Sequence, residues 1–119
     1  LPKDTPEQKQ AKEEALQAAL RDACLVPLRI MEVCCVVLSE ARFMAENGSK
    51  LAVSDAGASA LLARAAAEAA SLNVFINTGA MADRELAASF EKQADELIER
   101  ANAEAELVGT LVIGAIRKA

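Results

Sequence analysis

Four polar side chains share one face of a helix that is otherwise built mainly from alanine and leucine. They are Asp55, Ser59, Asn73 and Asn77, and at 100° per residue they fall within about 40° of one another. A carboxylate such as Asp55 can transfer a proton, and a carboxamide can orient a polar ligand. Asp55 and Asn73 are 18 positions apart in the sequence, which places them about 27 Å apart along the helix axis. One small site within a single chain therefore cannot contain both.

Two interpretations of this polar face stay open at the level of sequence. In the first, Ser54 caps the helix, Asp55 is a first-turn acid that favours the positive end of the helix dipole, and the asparagines satisfy helix ends or an interhelical hydrogen bond. In the second, Asp55 performs acid/base chemistry and the asparagines bind a ligand, one of them from a second subunit.

Arg29 and Glu32 interrupt the most apolar part of the chain. Their spacing lets them pair on one helix face, so the simpler prediction is a buried or half-buried ion pair. The alternative is that the planar guanidinium of Arg29 binds an anionic ligand such as a carboxylate. Arg64 and Glu68 lie on the opposite side of their helix from Asp55, where a structural ion pair is the expected role.

Residue types that are missing limit the chemistry further. The chain contains no histidine, so proton transfer falls to Asp, Glu, Lys or Cys. Its three cysteines, Cys24, Cys34 and Cys35, form no CxxC pair, and we expect neither a disulfide framework nor a metal site. Buried free thiols fit a reducing compartment, so the predicted location is the cytoplasm.

Composition also bears on the possible partners. The net charge is −5, and neither Trp nor Tyr occurs, which disfavours nucleic acid and anionic membranes as partners. The longest apolar stretch, residues 24–38, contains Pro27, Arg29 and Glu32 and is too short to span a bilayer. We therefore expect no transmembrane segment.

The elements that position these residues are helices. Apolar residues at steps of three and four predict an all-α fold, a bundle of long antiparallel helices in a single domain over residues 1–119. Thr5 followed by Pro6 and Gln8 predicts a capping box. Pro27 predicts a break or kink. The predicted helices cover residues 6–25, 28–46 and 55–77, and a last one that Asp83 caps and that ends near residue 117.

Small and apolar residues continue at helical spacing through the last helix, from Leu86 to Ala115. Such a seam packs against an antiparallel helix or across a dimer, and it is too long for four helices to cover. We therefore expect a homodimer, or a partner segment that this sequence does not contain.

Several segments, read in order, resemble the cyclodeaminase/cyclohydrolase family of one-carbon folate enzymes. They are LPKDTPEQK, LVPLRIMEV, AENGSKLAVSDAGASALLARAA and SLNVFINTGAMADREL. The resemblance implies an all-helical dimer. It also implies one of two reactions at the N5–N10 bridge of a tetrahydrofolate substrate: loss of ammonia from the formimino form, or hydrolysis of the methenyl bridge. It implies no cofactor beyond that substrate.

The resemblance also assigns candidate site residues. Asp55 matches the acid of the family's SD pair and is the predicted catalytic residue. Ser54, Asn73, Asn77 and Arg29 match the serine of that pair, two family asparagines and the arginine of PLR, and they are predicted to bind the substrate. We expect the cyclodeaminase reaction, with the cyclohydrolase reaction and a non-catalytic helical assembly module as alternatives.

One family feature has no counterpart in this sequence. Family members begin with a glycine-rich PTPGGGS-type segment and further helices that help to line the substrate cleft. The chain opens at Leu1, and we expect it to be the C-terminal part of a larger cyclodeaminase/cyclohydrolase domain.

Overall fold

Three long helices form the whole of the described structure. A computed structural model describes residues 4–118, with α1 over Pro6–Asn47, α2 over Lys50–Gly79 and α3 over Arg84–Arg117. Short turns connect them, so consecutive helices run antiparallel in a bundle of 74 × 27 × 17 Å. The predicted all-α class is confirmed, and residues 4–118 contain no strand.

The predicted starts of the first and last helices are confirmed. At α1 the backbone N–H of Gln8 donates to the Thr5 hydroxyl at 3.2 Å, and the backbone N–H of Thr5 donates to the side-chain carbonyl of Gln8 at 2.9 Å. At α3 the carboxylate of Asp83 accepts from the Leu86 amide at 3.0 Å. Each cap satisfies amides that have no partner inside the helix.

The predicted break at Pro27 is wrong, and the four predicted helices are three. In an α-helix the N–H of residue 27 would donate to the carbonyl of residue 23, and proline has no N–H. Here the side-chain amide of Asn77 on α2 donates to the Ala23 carbonyl at 3.1 Å. A neighbouring helix thus supplies the donor that Pro27 lacks, and α1 continues without interruption from Pro6 to Asn47.

The predicted start of α2 at Asp55 is also wrong. The helix begins at Lys50 with Ser49 as its N-cap residue, although the Ser49 side chain makes no capping hydrogen bond. The extra turn places Val53 in the core, where it is 5% exposed, and this burial favours the longer helix. Ser54 is therefore not a cap, and Asp55 lies beyond the first turn.

The core is built from small side chains in two clusters along the bundle. The half nearer the α1–α2 turn contains Leu38 and Val108 among alanines and two cysteines, and the other half contains Met31 and Phe90. Leu97 packs against both clusters. Buried alanines on α2 let the helices approach closely, so the bundle needs few large side chains to fill it.

Hydrogen bonds to Thr78 fix the turn between α2 and α3. The Arg84 guanidinium donates to the carbonyls of Thr78 at 2.7 Å and Met81 at 3.1 Å. The fully buried Thr78 hydroxyl donates to the Glu91 carboxylate at 2.6 Å. These bonds satisfy carbonyls at the end of α2 and hold α3 against it.

The role of Asn77 in supporting Pro27 can be measured with a double-mutant cycle. Asn77→Ala leaves the Ala23 carbonyl without its donor, so we expect the free energy of unfolding to fall by about 0.5–1.5 kcal/mol. In a Pro27→Ala background the backbone N–H of residue 27 reaches that carbonyl, and the same substitution should cost close to nothing. Urea denaturation of the four proteins measures both values. Equal costs in the two backgrounds would contradict the coupling.

Candidate functional site

Asp55 lines a pocket between α1 and α2, close to the turn that joins them. The pocket has a volume of about 350 Å³, at the lower end of the range of about 300–1,000 Å³ for small-molecule sites. Its walls are formed by Val37, Glu40, Ala41, Met44, Ala52, Asp55, Ala56 and Ser59. Two carboxylates and one hydroxyl therefore open into a pocket whose other walls are apolar.

Glu40 is a residue that the sequence analysis missed. It lies on α1, outside the buried stripe of that helix, and nothing in its immediate sequence marks it. The position of Glu40 could have been found from the helical hairpin of α1 and α2, because residues at equal distances from the turn of an antiparallel helix pair lie opposite each other. Counting from the turn at Gly48 places Glu40 opposite Ala56, beside Asp55.

Ser54 and Asp55 face different grooves, because neighbouring residues on a helix point about 100° apart. Ser54 lines a groove of about 470 Å³ between α2 and α3. The walls of that groove are almost entirely apolar, with Gly57, Ala58, Leu61, Ala105, Gly109, Val112, Ile113 and Ile116 as the other lining residues. The SD pair therefore does not act as one unit within this chain.

The other predicted ligand-binding residues lie far from the pocket. Asn73 is exposed on the same side of α2 as Asp55, but five turns further along the helix. Asn77 is engaged with the Ala23 carbonyl. Arg29 is exposed on α1 and pairs with Glu32 at 3.0 Å. The predicted pair is confirmed, but it is more exposed than the predicted buried or half-buried pair. Its two side chains are 74% and 49% exposed.

Further charged side chains act structurally. The predicted pair of Arg64 and Glu68 is confirmed at 3.6 Å. Arg42 bridges α1 and α3, with contacts of 3.0 Å to Glu46 and 3.5 Å to Glu104. Pairs as exposed as these contribute little to stability, typically about 0–1 kcal/mol each.

The cysteines behave as core residues, as predicted. Cys24, Cys34 and Cys35 are free and buried, and burial raises the pKa of each thiol above its ordinary value. Burial acts against ionisation because it disfavours the thiolate, the reactive form. In residues 4–118 no group of three or more acidic or cysteine side chains is arranged to hold a metal ion.

By length and composition alone, α2 meets the criterion for a helix that could cross a membrane. About a third, 33%, of the residues in its most apolar window are buried against the rest of the bundle. A mostly buried core helix of a folded protein meets the same criterion, and so does a signal sequence, so one such helix does not by itself indicate a membrane span.

Comparisons with known proteins match this sequence to one family. The sequence profile described as "Formiminotransferase-cyclodeaminase" matches residues 1–96. The chain is 39% identical over 103 residues to a methenyltetrahydrofolate cyclohydrolase from Methylorubrum extorquens, covering 87% of this chain and 50% of that protein. It is 32% identical over 108 residues to the formimidoyltransferase-cyclodeaminase of Sus scrofa, and 31% identical to that of Rattus norvegicus.

The chain therefore belongs to the formiminotransferase-cyclodeaminase family. The two mammalian matches each cover 91% of this chain and 20% of the relative. The chain thus spans about half the length of the cyclohydrolase relative and a fifth of the two mammalian relatives.

Two glycines in the α2–α3 groove provide a matched test of how closely these helices pack. A Cβ on Gly109 would meet nothing within 4 Å, so Gly109→Ala should stabilise the protein by about 0.5–1 kcal/mol. A Cβ on Gly57 would lie 2.9 Å from Cγ1 of Val112, and overpacking of this kind typically costs about 1–3 kcal/mol. We expect Gly57→Ala to lower the melting temperature and Gly109→Ala to raise it. An equal increase in the melting temperature of both variants would show that α2 and α3 pack less closely at Gly57 than the distance of 2.9 Å indicates.

Proposed function

We propose that this chain acts on a one-carbon derivative of tetrahydrofolate, with Asp55 in the α1–α2 pocket as the group that transfers the proton. One observation carries the proposal: Asp55, the acid of the family's SD pair, lines a pocket that also contains Glu40. Asp55 is exposed, and no ion pair or side-chain hydrogen bond among the described residues engages it. It is also too far into α2 to act as a cap.

The pocket suits a reaction at a carbon that bridges two nitrogens. Addition of water to a methenyl bridge forms a carbon–oxygen bond and releases a proton. The carbon–nitrogen bond then breaks as that nitrogen takes up a proton and the new hydroxyl loses its proton to become the formyl oxygen, so one proton is released overall. A carboxylate can accept the first proton and return it to the nitrogen. The methenyl bridge is cationic, so a second carboxylate nearby, that of Glu40, would favour its binding.

The cyclohydrolase reaction is the first candidate. The methenyltetrahydrofolate cyclohydrolase of Methylorubrum extorquens is 39% identical to this chain, and the match covers 50% of its length. Ammonia release from a formimino derivative is the second candidate, and the family description and the mammalian relatives favour it. Both reactions pass through a tetrahedral adduct at the bridging carbon, so the same carboxylates would serve either.

Neither reaction changes an oxidation state, so the proposal includes no redox cofactor. We also propose a cytoplasmic location, which the three free and buried thiols support. The pocket is smaller than many ligand sites, and we assign it to the reacting end of the folate rather than to the whole molecule.

Asp55→Asn tests the assignment of the proton-transfer group. We expect turnover to fall about a hundredfold to ten-thousandfold, the usual loss when a general acid or base is removed. Because Asp55 is an exposed residue that caps nothing, its substitution should change stability by less than about 0.5 kcal/mol. Loss and gain of methenyl-folate absorbance measure the two candidate reactions, and thermal melting measures stability.

Glu68→Gln is the matched control for this experiment. Glu68 is an exposed acid on the same helix, paired with Arg64 and outside the pocket, so its substitution should leave turnover unchanged. Glu40→Gln should reduce turnover. Activity of Asp55→Asn within a few fold of the wild type would overturn the role of Asp55. Inactivity of the complete protein that contains this chain, with both substrates, would overturn the proposed function itself.

A further inference from the structure

The α1–α2 pocket contains a hydroxyl group beside its two carboxylates. It belongs to Ser59, which lines the pocket together with Asp55 and Glu40. Hydroxyls on the other helices bond to their own backbone: those of Ser39 and Thr110 each donate to the carbonyl four residues earlier. The Ser59 hydroxyl makes no such bond within residues 4–118, so it is available to a molecule in the pocket.

The spacing of Ser59 and Asp55 suits a bound water molecule. Ser59 follows Asp55 by four positions in α2, so both side chains lie on one face of the helix. Residues at this spacing have Cβ atoms about 5–6 Å apart. One water can therefore lie about 2.8 Å from the Asp55 carboxylate and from the Ser59 oxygen at the same time.

The pocket has room for this water beside the reacting end of a folate. Its volume is about 350 Å³, and one water occupies roughly 30 Å³. A bound water also needs about two to four polar partners. Asp55, Ser59 and Glu40 are the polar side chains among the lining residues, and the remaining walls are apolar.

The two ends of the pocket differ in polarity. Counted from the hairpin turn at Gly48, Glu40 lies beside Asp55, whereas Ser59 lies opposite Val37. A cationic one-carbon bridge binds most favourably near the two carboxylates. The end of the pocket that holds Ser59 is then left for the neutral reactant, which is water.

We propose that Asp55 and Ser59 hold the attacking water between them, and that Ser59 favours hydrolysis of the methenyl bridge over release of ammonia. This inference rests on the proposed function and names which of its two reactions the pocket serves. The water donates one O–H to the Asp55 carboxylate and the other to the Ser59 oxygen, so that an oxygen lone pair points into the pocket. One contact would leave the water free to rotate, and two contacts fix the direction of attack.

Only one of the two reactions consumes water. In hydrolysis the water oxygen bonds to the methenyl carbon, Asp55 accepts the first proton, and a carbon–nitrogen bond breaks as that nitrogen takes up the proton. The new hydroxyl then loses its proton to become the formyl oxygen, so one proton is released overall. In ammonia release from the protonated formimino group, the second nitrogen bonds to the carbon and its proton passes to the departing amino group. No water takes part, so Ser59 has no reactant to hold.

Removal of the Ser59 hydroxyl should slow hydrolysis selectively. In the complete protein that contains this chain, Ser59→Ala should slow the loss of methenyl-folate absorbance about tenfold, the effect of one lost hydrogen bond in the transition state. KM should change less than about twofold, because Ser59 contacts the water rather than the folate. Ammonia release, where the protein shows it, should stay within about twofold of the wild type.

Two further substitutions at the same position separate the hydroxyl from the shape of the side chain. Threonine and valine have nearly the same shape, and only threonine carries a hydroxyl. Ser59→Thr should therefore keep most of the hydrolysis rate, and Ser59→Val should lose as much as Ser59→Ala. Ser59 is exposed, so thermal melting should show that all three variants fold.

Ser89→Ala is the matched control for loss of a serine hydroxyl. Ser89 is exposed on α3, and α3 contributes no residue to the walls of the α1–α2 pocket. Its substitution should leave the rates of both reactions unchanged.

The outcomes separate this inference from the proposed function. Equal hydrolysis rates for Ser59→Thr and Ser59→Val would overturn the role of Ser59 and leave the proposed function standing. A complete protein that releases ammonia but does not hydrolyse the methenyl bridge would do the same, as would an equal loss of both reactions in Ser59→Ala. Inactivity of the complete protein on both folates would overturn the proposed function, and this inference with it.

Discussion

The hydrogen bond from Asn77 to the carbonyl of Ala23 joins α2 to α1 at the point where Pro27 leaves α1 without a backbone donor. Pro27 removes the backbone donor that would normally satisfy that carbonyl, and a proline in the interior of a helix ordinarily bends or ends it. Because α2 supplies a side-chain amide at 3.1 Å, α1 runs unbroken for 42 residues. The short turn between α1 and α2 sets the second half of α1 alongside the first half of α2, and this register places Glu40 beside Asp55.

Alanine on α2 sets the second constraint. Its small side chains let α1 and α3 approach closely, and the core is completed by a few larger residues such as Met31, Leu38 and Phe90. A three-helix bundle of this length, however, has a large surface for its volume. Apolar residues that would lie inside a thicker protein remain exposed on α1 and α2. The same design that packs the three helices tightly thus leaves a face suited to a further layer.

The 119 residues of this chain contain no histidine. The pocket offers carboxylates instead, and under the proposed function a cationic one-carbon bridge binds beside two of them. The family model matches residues 1–96, a span that contains both carboxylates.

The sequence by itself determined the helical class, the caps at Thr5 and Asp83, the end of α1 before Gly48 and the burial of the cysteines. These features depend on interactions within a few residues or on a helical repeat, which a sequence displays directly. Only the tertiary structure decided the continuity of α1 through Pro27, the start of α2 at Lys50, and the neighbours of Asp55. Asn77 is 50 residues from Pro27, and the burial of Val53 depends on the packing of other helices around it. The separation of Ser54 from Asp55 into different grooves has the same cause, because which groove a side chain enters is fixed by how three helices pack around one another.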